Sequence, residues 1–375
     1  MATTVTATTV VASGLTTPRG VTWGPDGTMY VALAGSGGMT AATEQAPASA
    51  ILGPFNGGPS GAVAKIENGC PVAVATGLPS TLDAMGEVLG PEDVAFLGGE
   101  LYVGVDGGGP VHGNPAQPAG IYKVKADGTA SVVADLSKWL RANPVAAVPQ
   151  DYDPDADGYR MVADQAEGAL WVLEPNSGGL LRVKADGSIS RIADLSAGHP
   201  VPSAIVAAPG GGIYIGNLTA VPFADGTAKV IKVTADGQVT DVWTGLTTVT
   251  GLAVGADGSL YAAELSTGNL PQPPFLMPGS GKVVRQTGPA SSEEVAGGLM
   301  FPIALGIGPD GGMYVSTPAV GPTDGSGMIL RLGGSAASPA ADAAGACTPI
   351  AGTANQGPPP APPSPVGSPA ATPVA

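Results

Sequence analysis

Apolar positions along this chain come in short alternating runs separated by glycine-rich turns. In the first clear case Val21 and Trp23 lead into Gly24-Pro-Asp-Gly27, and Met29, Tyr30 and Val31 lead away. Asp-Gly between two alternating runs predicts a β-hairpin, because glycine accepts the positive φ that a tight turn needs. The pattern returns at Pro91–Val103, Tyr159–Val172, Pro202–Ile215, Thr250–Ala262 and Pro302–Val315, giving six copies in all. Spacings of roughly 40 to 70 residues belong to propellers and solenoids. A second hairpin follows most copies: Gly61–Ile66 with Val72–Ala75, Ile121–Val124 with Val132–Ala134, Leu180–Val183 with Ile189–Ile192, and Val230–Val233 with Val239–Val242. Four strands per repeat and almost no helical periodicity predict an all-β chain, a six-bladed β-propeller with four-stranded blades.

The strand count closes only if the chain ends meet. The last repeat supplies a hairpin and a third strand, Met328–Leu332, and then the pattern stops. Val5–Ala12, followed by Ser13-Gly-Leu15, is like the blade ends Ala75-Thr-Gly-Leu78 and Trp243-Thr-Gly-Leu246. The N-terminal strand is therefore expected to complete the sixth blade and leave no open sheet edge. Residues 1–332 read as one domain. Residues 333–375 are rich in Pro, Ala and Ser and read as a disordered tail.

Composition narrows the partners. A net charge of −15 argues against nucleic acid. Much of the acidity falls in hairpin turns, at Asp26, Asp127, Asp186, Asp236, Asp257 and Asp310. No run is membrane-spanning, and a monomer is expected. The N-terminus lacks the basic and apolar regions of a signal peptide, whereas the Pro-rich tail is of the kind common on exported bacterial proteins. Cys70 and Cys347, the two cysteines, are either unrelated thiols or a bridge from the tail to blade 1, the latter requiring an oxidising compartment.

In a propeller the loops entering each blade share a face with those joining its second and third strands. Here that face carries the long segments Ala34–Ser60, Asp106–Ala119, Ser137–Asp157, Leu218–Thr227, Leu265–Ser280 and Pro318–Gly327, including a short helix over Ser137–Ala142. Long loops on a rigid scaffold are where binding concentrates. Candidate ligand-binding residues are Arg19, Glu92, Asp93, Asp106, Glu174, Asn217 and Glu264. The second strands are expected to end at Leu33, Val105, Glu174, Asn217, Glu264 and Thr317. Glu174, Asn217 and Glu264 then either converge on a hard cation such as calcium or simply hydrogen-bond nearby backbone. Asp153, Asp155 and Asp157, with Asp164, have the spacing of a calcium loop, but the strand Tyr159–Ala163 should carry Asp164 to the other face. Glu92, Asp93, Asp106 and His112 offer acid–base groups, although His112, in a Gly/Pro loop, is expected to be exposed. No Ser-His-Asp order, zinc spacing or phosphate loop is present.

Val10–Val21, Gly24–Ala32, Gly90–Phe96, Leu180–Val183 and Ile215–Phe223 resemble the ScyD/ScyE family of bacterial propellers. The resemblance spans about residues 5–332 and implies the fold and export. The family reads Gly-Pro-His-Asp where this chain has Glu92, and Glu-Leu-Thr-Gly where it has Asn217-Leu-Thr-Ala220. Two enzyme groups share the fold. Streptogramin lyases use a histidine pair with a glutamate, which His112 and His199 are too scattered to supply. Gluconolactonase-like propellers hold a divalent cation with residues of the types found at Glu174, Asn217 and Glu264, there acting as a Lewis acid. The expected function is an exported propeller that binds a small molecule, glycan or protein on its long-loop face, with a metal-dependent lactone hydrolase as the alternative.

Overall fold

The tight turns form as the Asp-Gly pairs dictate. At Gly187 the backbone is left-handed (φ 86°), its amide donates to the Lys184 carbonyl at 2.9 Å, and Asp186 accepts from the Ser188 amide at 2.9 Å. The same side-chain closure at Asp26, Asp127, Asp236 and Asp257 holds these exposed carboxyls below their usual pKa.

The computed structural model describes residues 8–45, 53–83, 86–333 and 347–350. In it the hairpins form six antiparallel sheets. Blade 1 contains Pro18–Trp23, Met29–Leu33, Phe55–Glu67 and Cys70–Asp83; blade 2, Pro91–Leu97, Glu100–Val105, Gly120–Val124 and Ala130–Asp135; blade 3, Arg160–Asp164, Ala169–Glu174, Gly179–Lys184 and Ile189–Asp194. Blade 4 contains Pro202–Ala207, Ile213–Asn217, Ala228–Val233 and Val239–Leu246; blade 5, Val249–Val254, Leu260–Glu264, Gly281–Gly288 and Ser291–Leu299; blade 6, Ala304–Ile307, Met313–Thr317, Gly327–Leu332 and Thr8–Leu15. All six second strands end at the residues the repeat predicts.

Neighbouring blades bury their facing side chains, as where Ala32 and Val63 pack on Val94, Val103 and Tyr122, or Leu173 and Leu180 on Ile213 and Ile215. The ring closes through Thr8–Leu15, paired antiparallel to Gly327–Leu332 from Thr8↔Leu332 to Leu15↔Gly327. Val5–Ala7 of the predicted strand, and most of the predicted tail, lie outside the described residues. A Cys70–Cys347 disulfide joins blade 1 to the C-terminal segment, with Cα atoms 5.4 Å apart. Ile350 of that segment is buried with Ala12, Leu15 and Ile329 at the seam. No described helix is long and apolar enough to cross a membrane.

Blade 1 departs from the plain four-stranded pattern. Its outer hairpin runs on to Phe55 and Asp83, and Thr40–Ala41 and Val88–Leu89 add to its sides. This extension leans on blade 2: Asn114 Nδ2 donates to the Ser80 carbonyl at 2.9 Å, and Phe55 meets His112 edge to face at 4.7 Å between centroids. The helix Leu136–Ala142 is capped by Asp135, which accepts from the Lys138 amide.

Candidate functional site

One hydrogen bond recurs around the ring and fixes the long-loop face. In five of the blades an amide just past the second strand donates to the segment entering the same blade: Ala34 to Thr17, Asp106 to Gly90, Leu218 to Val201, Leu265 to Thr248 and Ala319 to Phe301. Strand-start and strand-end side chains are thereby brought to one level beside the axis.

The strand starts form a plug. At one repeat position stand Arg19, Glu92, Arg160, Ser203, Thr250 and Ile303, all buried. Arg19, 1% exposed, sets Nε 3.1 Å from Glu92 Oε1 and donates to the Ala319 carbonyl at 3.0 Å and to that of Val88. Arg160 crosses the ring, donating to the Glu92 carbonyl at 2.7 Å and to Ile303 of blade 6 at 2.8 Å. Ser203 donates to Val249 at 2.6 Å and Thr250 to Pro302 at 2.8 Å. Each member thus ties its blade to another. Beyond the plug a channel of about 560 Å³, lined by the six first strands, reaches the tight-turn face.

Arg19 and Glu92, predicted as ligand contacts, are therefore turned into the plug, with no surface to offer a ligand. Asp93 is likewise internal. It accepts from the Met161 amide at 2.8 Å and from its neighbour Val94, tying blade 2 to blade 3, and burial lifts its pKa to about 6 against the pull of Arg160. Arg160 escaped the sequence reading. Aligning the blade entries finds it, since Tyr159-Arg160 occupies the place of Pro18-Arg19 and Pro91-Glu92.

An acidic group occupies the long-loop face between blades 2 and 3. Asp106, buried, lies against the Asp157 carboxyl. Desolvation first, then the charge of Glu92, raises the Asp106 pKa well above the usual range. Asp157 is raised in the same way by burial, then by Asp106 and Glu174. Glu174 accepts from the Ser177 amide at 2.8 Å and from its hydroxyl, and from the Asp157 amide at 3.3 Å. Glu92 Oε2 is buried and meets no donor among the described residues. His112, expected at the surface, is instead 0% exposed, because the blade 1 extension covers it. Its Nδ1 lies 2.9 Å from the Gly108 carbonyl and its Nε2 3.1 Å from Asp153 Oδ2. Burial disfavours its charge, but Asp153 outweighs this and the pKa rises.

The two predicted metal sets are not brought together. Glu174 faces Ser177; Asn217 accepts from the Lys229 amide at 2.8 Å and donates to Pro200 at 2.9 Å; Glu264 accepts from the Thr247 amide at 2.7 Å and pairs with Lys282 at 3.2 Å. Each strand-end side chain serves its own blade. Asp153, Asp155 and Asp157 diverge too: Asp153 goes to His112, Asp155 to the Val111 amide at 2.7 Å and Arg141 at 2.8 Å, and Asp157 to Asp106. Asp164 caps Ala166 and Glu167 in the turn on the far face, as the strand between predicts. Among the described residues no three His, Cys, Asp or Glu side chains are placed to hold a metal ion.

No family model matches this chain, and no curated protein matches it. Solved structures do. A putative oxidoreductase (glucose dehydrogenase) from Thermus thermophilus is 15% identical with a TM-score of 0.56, covering 87% of this chain and 99% of its own. The calcium-binding protein regucalcin from Agrobacterium tumefaciens is 15% identical with a TM-score of 0.54, over 89% and 98%. A PQQ-bound aldose sugar dehydrogenase from Streptomyces coelicolor is 13% identical with a TM-score of 0.54, over 87% and 98%. At such identities the likeness is one of fold, and function rests on the site itself.

Proposed function

We propose that this protein is an exported, ScyD/ScyE-like binding propeller whose ligand presents a positive charge to the blade 2–blade 3 mouth of the long-loop face. One observation carries the reading: Asp106, Asp157 and Glu174 crowd together beside Glu92, and around Asp157 the neighbouring carboxyls outweigh the opposing charge of His112. Buried carboxyls so arranged hold protons until a cation replaces them. Asp157 and Asp153 are only half-buried and give that cation access. Export agrees with the Cys70–Cys347 bridge, which persists in oxidising compartments.

The alternative, a metal-dependent lactone hydrolase with calcium or another divalent ion, has less support, since the carboxyls contact one another or their own backbone. Melting curves test both readings. Lysine methyl ester, guanidinium at low concentration and calcium are added in turn to the wild type and to Asp106→Asn/Asp157→Asn. A rise with the organic cations that vanishes in the double variant supports the proposal. A rise with calcium alone, reversed by EDTA, favours the metal reading. No rise with any of them overturns both.

A further inference from the structure

The half of the long-loop face opposite the acidic mouth is apolar. Leu265, Phe301, Ile303 and Ala319 form a small buried cluster there, with Leu218, Leu276 and Val320 packed on it. Around it Leu270, Met277 and Met300 remain 39%, 36% and 46% exposed. The rim is fixed in place. The Gly268 amide donates to Asp225 at 2.6 Å, and Asn269 donates to the Phe223 carbonyl at 3.1 Å, so the blade 4 and blade 5 loops are tied together. Phe223, Phe275 and Phe301 all have positive φ, a strained conformation for a bulky residue that the surrounding contacts must enforce.

The plug joins the two halves. Arg160 and Arg19 donate to Ile303 and Ala319, two members of the apolar cluster, and both reach Glu92, the buried neighbour of Asp106. Acidic wall, polar floor and apolar wall are therefore continuous from blade 3 to blade 6, diametrically across the ring. A single ion or one sugar ring covers only one of these walls. Methionine and leucine edges accept varied apolar shapes, while the half-buried carboxyls of Asp153 and Asp157 on the opposite wall favour positive charge.

We infer that the long-loop face binds a peptide segment in which a basic residue is followed by bulky apolar ones, the base at Asp157 and the apolar side chains against Met277 and Met300. This rests on the proposed cation-seeking mouth and names its ligand class.

The probe is a short fluorescent peptide alternating lysine and leucine, beside versions with glutamate for lysine and serine for leucine, followed by anisotropy at low salt. The lysine–leucine peptide is expected to bind, with each substituted version at least about tenfold weaker. Met277→Ser/Met300→Ser, two exposed positions that leave folding intact, should weaken the lysine–leucine peptide similarly, and so should Asp106→Asn/Asp157→Asn. Equal binding of the serine version, or no effect of Met277→Ser/Met300→Ser, overturns the inference. If lysine methyl ester still raises the melting temperature in that case, the cationic mouth stands and only the peptide is wrong; if it does not, both fail.

Discussion

Arg19 and Glu92 meet inside the closed end of the channel, Nε to Oε1 at 3.1 Å, and neither side chain reaches solvent. The pair belongs to two different blades, and its second partner lies in a third, so it acts as a cross-brace. Breaking such a pair from one side strands the other charge in the interior, at a cost of about 3–5 kcal/mol. Arg19→Met is expected to lose that much in urea unfolding, and Glu92→Gln somewhat less because Arg19 keeps its carbonyl acceptors. Arg19→Met/Glu92→Met should recover a large part of the loss. A double variant as weak as the sum of the single ones would show that the two do not act together.

Gly20 tests the packing beside that brace. A Cβ there would stand 2.8 Å from the Asp93 Cα and closer still to its carboxyl, which is itself held by Met161 and Val94. Neither side can yield without breaking the blade 2–blade 3 link. Gly20→Ala should therefore destabilise by about 1–3 kcal/mol or more, as overpacking does. Gly27→Ala, where a Cβ meets nothing within 4 Å, gives the control for a purely conformational cost of about 1–2 kcal/mol at a left-handed φ.

Much of this was legible in the chain. The Asp-Gly hairpins repeat with so little variation that strand ends, blade count and ring closure followed from counting. The site was less legible, for physical reasons. Glu174, Asn217 and Glu264 share a register position but each caps backbone of its own blade, and register does not report which way a side chain turns. His112 was misplaced because Phe55-Asn-Gly-Gly-Pro-Ser-Gly61 reads as a loop while forming a strand that covers it. Arg160 reaches from blade 3 to Ile303 of blade 6, which only the closed ring brings near, and Asp106 meets Asp157 only once the loops of two neighbouring blades are packed together.

Acid titration should reveal the buried carboxyls. Asp93 rises from 3.8 to about 6, and Glu87, though its side chain keeps 26% exposure, from 4.5 to about 7. Asp106 and Asp157 move the same way. For each, the folded state binds a proton that the unfolded state has already released, so its stabilising contribution is full below the unfolded pKa and fades as pH rises through the folded one. Stability of the ligand-free protein should accordingly fall between about pH 4 and pH 7. Asp106→Asn/Asp157→Asn should flatten that slope. A wild-type melting temperature that climbs steadily across the window would contradict the buried-proton account.

The seam offers the last test, because two devices close it. Thr8–Leu15 gives blade 6 its fourth strand and buries Ala12 and Leu15. The segment at Cys347 packs on that strand, the Gly14 backbone lying so close that a Cβ would sit 2.7 Å from the Cys347 Cβ. The bridge to Cys70 thus clamps the strand between blade 1 and the C-terminal segment. Reduction, or Cys70→Ser/Cys347→Ser, should cost about 2–5 kcal/mol while the ring stays closed. Deleting residues 1–15 removes the strand itself, opens the edge of Gly327–Leu332 and leaves the clamp nothing to hold, so the melting temperature should fall further than with the cysteine variant. Because the bridge acts through the strand, removing both should cost little more than removing the strand alone. Fully additive losses in calorimetry would mean that the disulfide stabilises blade 1 independently of the seam.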